Sequence, residues 1–319
     1  MSLGLGIGVS HAPGMYMKTE EQWDRLWHIL SVDRGIPQPA AVYEEKGEHL
    51  QEMIRRIDAG HTELKRVYDE YDPEILIILG GDQVEEFDRS NVPQLMMYLG
   101  EEAVGSIPGG QMRSAEGDAT MTMSVDVDFS QWLLTKLVKQ EGFDISFSRE
   151  LKNLPGRRKG IPHAFINPAS YLLDTERTKV CLIFENTYDP PSLTAKRCYE
   201  LGKAIARLVK NDPRRITILG SGGLSHDPGG KRSGWVDVPL DKWFLDQLAT
   251  GNGRATEAMY TFNSDTMVGG TGENRAWITV AGAMEEMGSN ATVLDYVEAR
   301  KTVTGLGFAY WPTQEAARA

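Results

Sequence analysis

The chain predicts an α/β fold: one domain over residues 1–319, with a central, largely parallel sheet flanked by helices. Three observations carry that expectation. Short apolar runs closed by Gly, Pro or polar residues mark strands. Longer segments between them place apolar residues at three- and four-residue intervals, the period of a helix with one buried face. The two kinds of segment alternate, as they do where helices cover both faces of a parallel sheet.

Taken in order, the strand candidates are "LGLGIGV" (3–9), "ILIILG" (75–80), "VCLIFEN" (180–186) and "RITILGSG" (215–222). Each is apolar on both alternating faces, the pattern of strands buried inside a parallel sheet. The helical patterns are "EEKGEHLQEMIRRIDAGHTELKRVYDEY", "DFSQWLLTKLVKQEG", "SLTAKRCYELGKAIARLVKND" and "LDKWFLDQLAT". A Gly-rich stretch with small polar residues, 104–123, reads as a long surface loop of the kind that covers a site. The C-terminal "TGLGFAYW" is a second candidate cover.

Composition excludes several classes of function. A formal charge of −11 without a long basic run argues against a nucleic-acid partner, because phosphate binding needs clustered Lys and Arg. No apolar segment is long enough to span a bilayer, and "MSLGLGIGVSH" lacks a basic segment followed by a long apolar one, so a cytoplasmic location is expected. Cys181 and Cys198 form neither a metal-binding pair nor a disulfide framework and read as buried packing residues.

The functional signal lies where strands end. "ILIILGGDQVEEF" (75–87) runs an apolar strand into Asp82, Gln83 and Glu85, and open α/β sheets bind ligands at the carboxyl ends of their strands. His11 follows "GIGVS", His226 sits in "ILGSGGLSHDPGG", and His163 lies between two prolines in "GIPHAFINP". A lone histidine in a turn is more often a structural residue than a catalytic one. Three in glycine- or proline-bound turns make a pattern. His28, His49 and His61 fall within helical patterns and read as structural. "GSGG" at 220–223 lacks the Lys and Ser/Thr of a phosphate-binding loop.

Five segments, in order, resemble the class III, LigB-type extradiol ring-cleavage dioxygenases: "GVSHAPGM", "PHAFINPAS", "PPSLTAKRCYELGKAI", "GSGGLSHDPGG" and "GTGENRAWITVAGAM". The resemblance implies a LigB-like catalytic domain that uses nonhaem Fe(II) and O2 to open the ring of a catechol-, gallate- or aminophenol-like compound. Two histidines and a carboxylate on one face of Fe(II) leave open positions for substrate and dioxygen. On this resemblance His11 and Glu273 are metal ligands, His226 is the acid-base residue, and His163 is a catalytic histidine touching substrate or supporting a ligand.

The family's second ligand histidine ends an Asn-Asp-His segment, and this chain has Gly81, Asp82 and Gln83 there. Four outcomes are open: Gln83 coordinates through its carbonyl oxygen, Asp82 does so, His49 or His61 arrives from the preceding helix, or the site holds no iron. Rival functions follow, a nonoxidative hydrolase or lyase on the same scaffold, or a noncatalytic partner subunit. Tyr188 and Asn186, just past a strand, are expected to contact substrate, and Arg157, Arg158 or Arg275 to meet an acidic substituent. A small aromatic molecule and O2 are the expected partners, with no nucleic acid or membrane, and the chain is expected to work as a homo-oligomer.

Overall fold

The computed structural model describes residues 3–108, 119–155 and 160–313. Among these residues ten strands and seven α-helices run in the order β1 (Leu3–Val9), α1 (Glu20–Leu30), α2 (Gly47–Tyr71), β2 (Ile75–Gly80), β3 (Leu95–Tyr98), β4 (Glu102–Ser106), β5 (Thr120–Ser124), α3 (Val127–Lys139), β6 (Ser146–Ser148), α4 (His163–Leu172), β7 (Lys179–Glu185), α5 (Ala195–Val209), β8 (Ile216–Ser221), α6 (Val238–Ala249), α7 (Asn274–Glu286), β9 (Thr292–Ala299) and β10 (Thr304–Pro312).

Eight strands form one sheet in the order β6-β3-β7-β2-β8-β1-β10-β9. Its centre, β7-β2-β8-β1, is parallel, and these are the four strands that the apolar runs predict. On one side β10 and β9 add antiparallel strands, and on the other β3 runs antiparallel to β7 and parallel to β6. All six residues of β2 are buried, as a strand covered by helices on both faces requires.

Two apolar layers cover the sheet. One joins α3, α5, α6 and α7 to β2, β7 and β8 through residues such as Leu133, Leu201, Phe244 and Trp277; both cysteines are free and buried in it. The other joins α1, α2 and α4 through Trp23, Ile57 and Phe165. In α2 the buried residues Leu50, Met53, Ile54, Ile57, Leu64 and Tyr68 keep the three- and four-residue spacing. The helix stops at Asp72, which takes a left-handed conformation (φ 51°) before Pro73.

Three sequence expectations are corrected. "TGLGFAYW" is no cover: it is β10, buried between β1 and β9. The stretch 104–123 contributes to a two-stranded ribbon, β4 paired with β5, and its middle lies outside the described residues. His163 also differs from its turn reading, because it opens α4, with Pro168 inside that helix. Among the described residues no helix is long and apolar enough to cross a membrane.

Candidate active site

The carboxyl ends of β1, β2, β7 and β8 meet on one side of the sheet, and each delivers a polar side chain there. His11 lies two residues beyond β1 and is buried. Its Nδ1 is 2.9 Å from Ser221 Oγ, at the end of β8, and that hydroxyl donates its only proton to the Ala164 carbonyl at 2.5 Å. Ser221 must therefore accept from His11 Nδ1–H. The lone pair of His11 is left on Nε2, which is 3.6 Å from Glu273 Oε2. Asn167 of α4 holds the His11 backbone carbonyl at 2.9 Å.

His226 is oriented in the same way from the β8 exit. Its Nδ1–H donates to the Leu224 carbonyl at 2.9 Å, so its lone pair is also on Nε2, again 3.6 Å from Glu273 Oε2. The turn that brings it there depends on Gly222 and Gly223, at φ 132° and 63°. A Cβ on Gly222 would stand 2.7 Å from Glu273 Oε2, so the backbone has to be bare for the carboxylate to lie against it. Glu273 ends a short 3-10 turn, Gly269–Glu273, and its Oε2 accepts the Gly223 amide at 2.8 Å. Burial alone would raise the Glu273 carboxyl, but the positive charge that the His11 and His226 rings carry when protonated, with the Gly223 amide, outweighs it and holds the group at about 2. The same burial lowers His11, so its ring is neutral near pH 7.

Gln83 completes the cluster from the β2 exit. Its Nε2 donates to Glu273 Oε1 and lies 3.2 Å from His11 Nε2. Asp82 holds this turn by accepting the amides of Glu85, Glu86 and Phe87 at 3.0–3.2 Å, which occupies both carboxylate oxygens with backbone. Between them Val84 adopts φ 60°, a costly conformation for a β-branched residue. His163 stands beside the cluster, its ring edge-on to His11 with centroids 4.8 Å apart.

Of the alternatives to the missing histidine, His49 is exposed on α2 and His61 packs among Tyr16, Tyr171 and Phe308; neither joins the cluster. The Tyr188 hydroxyl is buried without a hydrogen-bond partner among the described residues, and burial, with Glu273 and Asp227 nearby, pushes its ionisation well above that of an ordinary phenol. Asn186 is spent on its own turn, exchanging hydrogen bonds with the backbone of Asp189 at 2.7 and 3.1 Å. Arg275 gives Nε and Nη1 to the carbonyls of Leu193 and Gly272 and stacks on Tyr260. Arg157, Arg158 and Lys159 lie outside the described residues. Sequence reasoning missed Ser221 and Asn167, whose types carry no catalytic signal, and assigned no role to Glu85, which bonds His163.

Among the described residues no three His, Cys, Asp or Glu side chains form a group able to hold a metal. Beside His11 and Glu273, Gln83 touches both and is a candidate donor of another residue type. A half-turn of its terminal amide exchanges Nε2 for Oε1 with the same shape, giving imidazole, carboxylate and amide oxygen, a donor set suited to a divalent cation.

The sequence profile described as "Catalytic LigB subunit of aromatic ring-opening dioxygenase" matches residues 35–307. A 2,3-dihydroxyphenylpropionate/2,3-dihydroxicinnamic acid 1,2-dioxygenase from Rhodococcus globerulus is 24% identical over 191 residues, 60% of this chain and 55% of that protein. A gallate dioxygenase from Pseudomonas putida is 32% identical over 120 residues, 36% of this chain and 33% of the relative. The matched region thus spans about half or less of the length of these two curated relatives. A crystal structure of an uncharacterized protein from Escherichia coli K12 superposes with a TM-score of 0.50 over 96% of this chain and 99% of that one, at 11% identity, a likeness of fold alone.

Proposed function

The chain belongs to the family of catalytic LigB subunits of aromatic ring-opening dioxygenases, and on that premise we propose that it is an Fe(II)-dependent extradiol dioxygenase acting on a catechol-, gallate- or aminophenol-like compound. The supporting observation is the convergence of His11, Gln83 and Glu273 from three distant segments, with the His11 lone pair already turned toward the carboxylate. His11 and Glu273 would hold the iron, with Gln83 as a weaker, neutral third donor. When bound, Fe(II) supplies open positions for the paired oxygens of the substrate and for O2.

The protein's own groups carry the rest. His226, with Nδ1–H committed to Leu224, presents Nε2 as a base for a substrate hydroxyl proton and can return that proton later. The buried Tyr188 hydroxyl has no hydrogen-bond partner among the described residues and is suited to donate to a substrate oxygen. Anaerobic purification, metal analysis and oxygen uptake with catechols, gallates and aminophenols test the reading. Iron-dependent oxygen uptake with a ring-opened product supports it. Turnover without oxygen would favour a hydrolase or lyase, and no turnover with the whole panel a noncatalytic partner.

A further inference from the structure

We propose that Glu85 is a positioning residue for His163: its carboxylate keeps the His163 proton on Nδ1 and thereby leaves the ring's lone pair on Nε2. This deepens the dioxygenase reading and rests on it for the role of His163. Glu85 Oε1 is 2.5 Å from His163 Nδ1, and both carboxylate oxygens also face the His163 backbone amide at 3.3 and 3.4 Å. A carboxylate only accepts, so the imidazole nitrogen facing it carries hydrogen. Glu85 is buried, and a buried carboxylate persists where such charge-assisted bonds replace its hydration.

The backbone is arranged to make this contact. Asp82 and the left-handed Val84 turn the chain so that Gln83 meets Glu273 while Glu85, two residues on, meets His163. The segment leading into α4 is tied to the same turn. Leu154 N–H donates to the Glu85 carbonyl at 2.9 Å, and Asn153 joins Glu86 to both backbone groups of Gly160. The edge of His163 lies against His11, so a change in the His163 ring is felt beside the metal ligands.

A purely structural role is the competing explanation, because Pro162 offers α4 no side-chain cap and Glu85 accepts that helix's first amide. The full-length chain, labelled with 15N at histidine and studied before iron is added, separates the two. The wild-type His163 resonances should show Nδ1 protonated; in Glu85→Ala the ring should move to the Nε2–H form that free imidazole favours. Glu85→Gln, whose amide oxygen can accept the same proton, should retain the wild-type form and the melting temperature. With iron and an oxidised substrate, Glu85→Ala should lower kcat by about tenfold or more, with KM changed much less, and Glu85→Gln should recover most of it. An unprotonated Nδ1 in the wild type, or a Glu85→Ala variant that melts earlier with His163 unchanged, would overturn the proposal. If no compound is oxidised, the dioxygenase reading fails while the NMR result still decides the role of Glu85.

Discussion

The turns leaving β8 and β2 end in one hydrogen-bonded cluster but reach it by different physics. At the β8 exit, glycine supplies the left-handed backbone: Gly222 and Gly223 let the chain lie against Glu273 and deliver His226. At the β2 exit, Val84 takes a left-handed conformation without glycine's freedom, held there by three amides bonded to Asp82. The first turn keeps the segment that resembles the family. The second departs from it at Gln83 and adds the Glu85–His163 contact. An aspartate braces each, Asp82 from within its turn and Asp241 from α6, which accepts Ser225 N, Ser225 Oγ and Tyr296 OH at 2.7–2.8 Å.

The largest effect expected from this comparison is with pH. Burial pushes Asp241 up to about 7, so between the ordinary aspartate value and pH 7 the folded state holds a proton that the unfolded chain has released. Stability should fall as pH rises through that window, by on the order of 4 kcal/mol, and change little from this group above it. Thermal melts from pH 4.5 to 8 check this, and Asp241→Asn should make the curve shallower, the remaining slope coming from Glu45, Glu86 and Glu185, which burial also raises to about 7. Gly222→Ala attacks the same turn sterically. Strain at φ 132° and a Cβ 2.7 Å from Glu273 should cost about 2–3 kcal/mol, read as a lower melting temperature, and iron retained after desalting should drop.

At the β2 turn, Asp82→Ala removes the acceptor of three amides and should cost about 1–2 kcal/mol in chemical denaturation, with loss of the His163 Nδ1–H signature as Glu85 drifts. Val84→Gly is the mildest test. Relief of the left-handed strain should stabilise the fold by about 1 kcal/mol or less, and the looser turn should lower iron affinity even as the melting temperature holds or rises.

The same contrast explains what could be read from sequence. Strands β1, β2, β7 and β8 were legible because a strand buried on both faces is apolar throughout. β10 was not, since Gly305 and Gly307 interrupt its pattern and its order comes from pairing with β1 and β9. α7 is buried from Asn274 to Met284 and so has no amphipathic stripe to find, and α4 hides behind Pro162 and Pro168. In the site, His11, His226 and Glu273 stood in segments that resemble a family, and Gln83 was visible as a departure from it. The Glu85–His163 bond joins residues 78 positions apart and leaves no periodic trace.

Whether Gln83 serves as a ligand is the central question, and Fe(II) titration of the wild type, Gln83→His and Gln83→Ala under anaerobic conditions answers it most directly. An amide oxygen is a weaker donor to iron than imidazole, so Gln83→His should bind about tenfold more tightly than the wild type, and Gln83→Ala more weakly than either. Equal affinities in all three proteins would contradict the account, leaving Gln83 as a hydrogen-bond partner of Glu273 alone.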